Sequence, residues 1–165
     1  MIIDPNNLLE ELNDYSIPIF TEFITKIQTE LFFDIRINCV YDSLADSVAL
    51  NKQDPRNPLY NFHEFGIAID MNIIQDWQLP TERVYLKHDS IEDWESTGVP
   101  KLAESLGIRW GGLFKGYEDC VHFDLANKLG DNVYIVLNKL VILAKNTLGQ
   151  DLTCKPLNKL DLTKL

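Results

Sequence analysis

An α+β domain is the fold class this sequence predicts, and three observations carry it. Apolar residues recur at helical spacing near both ends of the chain, and they alternate with polar ones at period two in between. A length of 165 residues with 45% hydrophobic content is enough for one packed core and too little for two. The expected architecture is a small antiparallel sheet flanked by helices, in a single domain over 1–165. Its core is expected over about 5–146, with a flexible tail over 147–165.

The elements follow in order. Asp4 before Pro5 reads as a helix N-cap with proline at the first helical position, and Leu8, Leu9, Leu12 and Tyr15 continue at helical spacing until Pro18 interrupts them. A second stripe, Ile19, Phe20, Phe23, Ile24, Ile27 and Leu31, predicts a helix packed on the core. "FDIRINCVY" sets Ile35, Ile37 and Cys39 against Asp34, Arg36 and Asn38, the pattern of a half-buried strand. "SLADSVALNK" is a short helix, and "QDPRNPLYN" is a loop with two prolines and no period. "GIAIDMNI" is a strand, "SIEDWESTGVPKLAESLG" contains a helix closed by Gly107, and "VHFDLA" is another strand. Asp131 as N-cap opens the helix "NVYIVLNKLVILAKN", and the chain from Thr147 reads as a weakly ordered tail.

Charge and composition narrow the partners. A formal charge of −10 argues against nucleic acid and anionic membranes, which bind chiefly through Lys and Arg. No stretch approaches the roughly 20 apolar residues that span a bilayer. The opening "MIIDPNNLLEELNDY" lacks the basic start and apolar run of a signal peptide, so synthesis in the cytoplasm and another route of export are expected. Cys39, Cys120 and Cys154 are widely spaced and form no CxxC pair, so free thiols are expected rather than a disulfide framework or a cysteine-rich metal site.

Chemistry concentrates in two places. In "NFHEFGIAID" the strand period puts Gly66, Ala68 and Asp70 on one face, with the bulky Ile67, Ile69 and Met71 on the core face. On one straight strand His63 and Asp70 would stand roughly 23 Å apart, so a shared site requires a bend, and Gly66 permits it. Without a shared site, the stretch reads as a hairpin with a surface histidine and a capping aspartate. "RWGGLFKGYEDCVHFDLA" adds His122 at the start of a strand, three residues after Asp119. Two histidines and an aspartate suit zinc, which keeps a fourth position open in catalytic sites. A nearby carboxylate then serves as base. Asp119 is the candidate and its neighbour Glu118 the rival, since spacing does not decide which one points inward. Cys120, between the base and His122, reads as structural. His88 has no motif around it and reads as a surface residue.

"FHEFGIAID", followed about fifty residues later by "LAESLGIRWGGLFKGYEDCVHFDL", resembles the zinc-dependent D-Ala-D-Ala carboxypeptidase and L-alanyl-D-glutamate endopeptidase family, which holds VanX- and VanY-like enzymes and many phage endolysins. The resemblance covers roughly residues 30 to 126. It implies an α+β fold, His63, Asp70 and His122 as zinc ligands, and Asp119 as catalytic acid/base. Asn61 stands at the family's serine, two positions before the first ligand. Asp42 stands where the family usually has an arginine that contacts substrate, and an anion there repels a peptide carboxylate. Arg56 and Arg36 are the other cations near this part of the chain. Asn61, Trp110 and Arg56 are the expected substrate contacts, with Trp110 serving both packing and the site wall.

The function implied is a zinc-dependent peptidoglycan peptidase acting on cell-wall peptide stems, of L,D-endopeptidase or D,D-carboxypeptidase type. The expected setting is a phage lysin or virion-associated hydrolase, in company with phage virion proteins. The competing expectation keeps fold and zinc without turnover: a structural or binding protein.

Overall fold

The computed structural model describes residues 2–4, 6–53, 60–76, 83–85, 90–130, 132–153 and 155–165. Six strands form one sheet among them: β1 (Ile2–Ile3), β2 (Asp34–Cys39), β3 (Ala68–Asp76), β4 (Arg83–Tyr85), β5 (Arg109–Trp110) and β6 (His122–Asp124). Their order is β1-β2-β3-β6-β5, with β4 beside the far end of β3. Every pairing is antiparallel except that of β1 with β2.

Alternation along β3 decides what the sheet buries. Ile67, Ile69, Met71 and Ile73 are fully buried. Ile73 lies opposite Ile35, Met71 opposite Ile37, and Ile69 opposite Phe123, so three strands present one continuous apolar face. Helix α1 (Ile17–Glu30) covers that face with Phe20, Phe23, Ile24 and Ile27, all buried. The Phe23 and Phe123 rings meet at 5.3 Å between centroids, and Trp94 packs on Phe123 at 5.8 Å. Each such side chain contributes about 1.5–3 kcal/mol by leaving water. The opposite face of the sheet carries Ala68, Asp70, His122 and Asp124, and it holds the candidate site.

Four boundaries differ from the sequence expectation. The first apolar stripe is a single 3-10 turn, Leu8–Glu11, because Leu12 takes extended dihedrals and inserts into the core. Asp4 does cap it, accepting from the Leu8 and Leu9 amides at 2.6 and 3.0 Å. Pro18 lies in the first turn of α1 and starts that helix instead of interrupting one. After α2 (Leu44–Gln53), the single helix expected before Gly107 is two, α3 (Ile91–Ser96) and α4 (Val99–Ser105), broken at Gly98 with φ +77°. A short α5 (Ala126–Leu129) precedes α6 (Val133–Leu148). The cap of α6 is Asn132, whose side chain accepts from the Tyr134 and Ile135 amides; Asp131 lies outside the described residues.

The chain beyond Leu148 is not a loose tail. Leu152, Leu157, Leu160 and Leu162 are buried in the main apolar cluster. Asn13 Nδ2 donates to the Asn158 and Leu160 carbonyls at 2.9 and 2.8 Å, and Asn158 Nδ2 donates to Glu11 O at 2.8 Å. These bonds bring the two ends of the chain against the turn His63–Phe65, which Gly66 closes with φ +63°. A Cβ on Gly66 would lie 2.6 Å from Asn13 N and 2.9 Å from Asn158 Cβ. Only glycine fits both the dihedral and the space.

Cutting the chain after Gly149 removes four buried leucines at about 1.5–3 kcal/mol each. Tm is expected to fall by at least roughly 15 °C, whereas an unchanged melting curve would mark residues 150–165 as dispensable. Gly66→Ala forces a strained dihedral and parts Asn13 from Asn158, at a cost on the order of 1–3 kcal/mol. The shift in urea midpoint measures it.

Candidate functional site

His63 is delivered to the site by a capped turn. Asn61 Oδ1 accepts from the His63 and Glu64 amides at 2.8 and 3.3 Å, and the Gly66 amide donates to His63 O at 2.9 Å. His63 Nδ1 lies 3.3 Å from the Val40 carbonyl, which can only accept. In the neutral ring Nδ1 therefore carries the hydrogen and Nε2 the lone pair. Glu64 beside it is fully buried, and burial raises its carboxyl pKa to about 7.

Asp70 and His122 come from neighbouring strands, directly opposite each other in the β3–β6 register. His122 Nε2 lies 3.0 Å from Asp124 Oδ2, two residues along on the same face of β6. Asp124 accepts the Nε2 hydrogen, so Nδ1 is the nitrogen with a free lone pair. Three donors then converge. His63 Nε2 and His122 Nδ1 are 3.1 Å apart, and Asp70 Oδ1 is 3.2 Å from the first and 3.1 Å from the second. Ligands held about 2.0–2.1 Å from one tetrahedral ion stand roughly 3.4 Å from each other. The triangle thus fits a zinc-sized ion with slight relaxation, and the donor types are those zinc takes.

The electrostatics agree with a cation-binding centre. Burial opposes charging of both imidazoles, yet hydrogen bonds from neighbouring groups outweigh it. Bonds to Asp70 and Cys39 lift His63 to about 10, and bonds to Asp124 and Asp70 lift His122 to about 9. Burial likewise opposes ionisation of Asp70, but the two histidines hold its carboxyl well below the usual range. Asp70 and Asp124 thus favour positive charge on both rings.

A second layer fixes His122. Arg109, opposite Asp124 in the β5–β6 register, donates Nε to both Asp124 oxygens at 3.1 and 3.0 Å. Asp124 is fully buried, and this paired guanidinium is what makes an ionised carboxylate tolerable there. The guanidinium itself lies over the Phe114 ring at 4.4 Å and the Phe62 ring at 5.4 Å.

Asp119 reaches the site and Glu118 is exposed. Ligand atoms of Asp70, Asp119 and His122 all lie within 4.8 Å of one another. The loop closes because Gly111 lacks a side chain: a Cβ there would sit 2.4 Å from Asp119 O. The Asp119 amide donates to Gly111 O at 3.0 Å, and the His122 amide donates to Asp119 O at 3.1 Å. One loop therefore sets both side chains.

The expected substrate contacts fare differently. Trp110 is buried, and its indole N–H donates to Cys120 O at 2.8 Å. It pins the loop before His122 and presents no open wall, because its ring is enclosed by the core. Asn61 spends its side-chain oxygen on the His63 turn, so it positions a donor of the triangle. Arg56 and His88 lie outside the described residues.

Three residues at the site were not singled out in the sequence: Asp124, Arg109 and Cys39. Period two from His122 points to Asp124, and a buried acid calls for a cation such as Arg109. Cys39 is hidden by a bulge. Ile37 lies opposite Met71 but Cys39 lies opposite Asp70, so Asn38 is an extra residue in β2. The bulge moves Cys39 from the core face, where alternation puts it, to the face of Asp70.

Comparison with known proteins adds two likenesses. The family model described as D-alanyl-D-alanine carboxypeptidase matches residues 56–125. No curated protein sequence matches the chain. Among solved structures, the L-Ala D-Glu endopeptidase ChiX of Serratia marcescens superposes with TM-score 0.55 at 18% identity, covering 76% of this chain and 90% of that one. At that identity the likeness concerns the fold: a mostly antiparallel sheet with helices, α+β as the sequence predicts. The segment 56–125, which carries both histidines of the triangle with Asp70, Asp119 and Asp124, is thus similar to the D-alanyl-D-alanine carboxypeptidase family.

Proposed function

We propose that this chain is a zinc-dependent peptidase that cleaves the peptide stems of peptidoglycan, as an L,D-endopeptidase or a D,D-carboxypeptidase. The observation that carries the reading is the donor triangle of His63, Asp70 and His122 with edges of 3.1–3.2 Å and the Asp119 carboxylate alongside. A bound zinc ion would supply Lewis acidity toward a peptide carbonyl and toward water. His63 Nε2, His122 Nδ1 and Asp70 Oδ1 would hold it. Asp119 takes the proton from the attacking water and returns it to the leaving amine. Asp124 and Arg109 keep His122 in the required tautomer. The peptide substrate is the one named for the family and for ChiX, and a phage lysin or virion-borne hydrolase is the setting suggested by the resemblance to phage endolysins.

A second reading has its own observation. Asp42 Oδ1 lies 3.5 Å from Cys39 Sγ, so an anion stands beside the site where the family pattern has an arginine. That favours a zinc-binding structural or binding protein of the same fold with impaired catalysis. Mass spectrometry of the products from purified peptidoglycan and zinc-loaded protein separates the two and names the bond. Intact stems with zinc bound would support the second reading.

Protein purified without chelator is expected to hold about one zinc per chain, and His63→Ala or His122→Ala to lose it. Stoichiometric metal in both variants would remove the triangle from the account. Asp119→Ala should keep its zinc while hydrolysis falls on the order of 10² to 10⁴-fold. Glu118→Ala should be nearly neutral, and the reverse pattern would exchange their roles.

A further inference from the structure

Across the sheet, Cys39, Asp70 and His122 form a row on three adjacent strands, with Asp70 between a thiol and an imidazole. Ligand atoms of Cys39, His63 and Asp70 lie within 4.8 Å of one another. A thiolate and an imidazole that share a tetrahedral zinc stand roughly 3.6 Å apart, within reach of a rotation of the cysteine side chain. Cys39 is half-buried and not in a disulfide, and its thiol makes long contacts to Asp42 Oδ1 at 3.5 Å and Tyr41 O at 4.0 Å. Asp119 approaches Asp70 and His122. The triangle is thus flanked by a thiol from β2 and a carboxylate from the loop before β6.

We propose that Cys39 is a fourth protein ligand of the resting centre, a Cys–His–Asp–His set in which the thiolate holds the exchangeable place until water or substrate displaces it. The inference rests on the metal-site reading above. On loading, the Cys39 thiol gives up its proton to solvent and its sulfur joins the ion as thiolate; no oxidant or reductant takes part. Four protein donors complete the tetrahedral shell that zinc adopts in structural sites. Thiolate also shifts the preference of the centre toward softer ions. A water or peptide carbonyl must then compete with Cys39 for its place. The bulge at Asn38 is the device that brings this about: without it Cys39 would continue the core face of Ile35 and Ile37.

The test replaces zinc by cobalt(II) in the full chain and in Cys39→Ser and Cys39→Ala variants, with metal content measured for each. A thiolate ligand gives an intense near-ultraviolet charge-transfer band that nitrogen and oxygen donors lack. The expected result is this band in the parent, its loss in both variants, and about one cobalt per chain in all three. A second measurement follows alkylation of Cys39 by iodoacetamide, mapped by peptide mass, and zinc should slow it at least tenfold. One cobalt per chain with no band in the parent, or with an equal band in the variants, overturns the ligand assignment and leaves the triangle standing. Absence of stoichiometric cobalt in the parent overturns the metal-site reading and this inference with it.

Discussion

The missing side chain of Gly66 is the constraint on which the site depends. Three segments meet over its bare Cα: the loop at Asn13, the segment at Asn158, and the turn that carries His63. Asn13 N donates to Gly66 O at 2.9 Å, so the turn is tied to the loop before α1. On one side of Gly66 the chain curls into the turn; on the other it runs directly into β3 and Asp70. The bend demanded by His63 and Asp70 sharing a site is thereby supplied at one residue, and buried amides hold it from both ends of the chain.

Charge is arranged around the triangle in layers. The inner donors are two imidazoles and one carboxylate, and each imidazole is aimed by an acceptor behind it. Val40 O orients His63, and Asp124 orients His122. Arg109 offsets the buried charge of Asp124 and is itself sheltered between Phe62 and Phe114. Outer-shell partners of this kind raise ligand basicity and set ring orientation. The two flanks of the triangle differ in chemistry: an acid on the Asp119 side, and a thiol with Asp42 on the other.

Much of this was legible in the sequence where local rules decide. The alternation of Ile67, Ile69 and Met71 fixed the buried face, and the glycine between His63 and Asp70 marked the bend. The stretch "VHFDLA" put His122 at the start of a strand. What escaped depended on contacts distant in sequence. Cys39 follows Ile35 and Ile37 in perfect alternation, and only the pairing of β2 with β3 reveals the extra residue at Asn38. Leu152, Leu157, Leu160 and Leu162 fit neither helical nor strand period, so their burial in 3-10 turns and irregular chain has no periodic signature. Glu118 and Asp119 are equivalent by spacing until the close approach at Gly111 fixes the loop. Trp110 reads in the sequence as both packing and site wall, and its indole bond to Cys120 O places it on the packing side.

The bonds from Asn13 to Asn158 and Leu160 and from Asn158 to Glu11 join residues 145 to 147 positions apart. Contacts of that separation carry a large loop-closure cost and dominate slow folding. The sheet and α1 can assemble from nearer neighbours, but the support beneath the His63 turn is complete only when both ends of the chain have arrived. A nascent chain still lacking its last residues therefore presents Asp70 and His122 before it presents a fixed His63. The full geometry of the His63, Asp70 and His122 donors is a property of the finished fold.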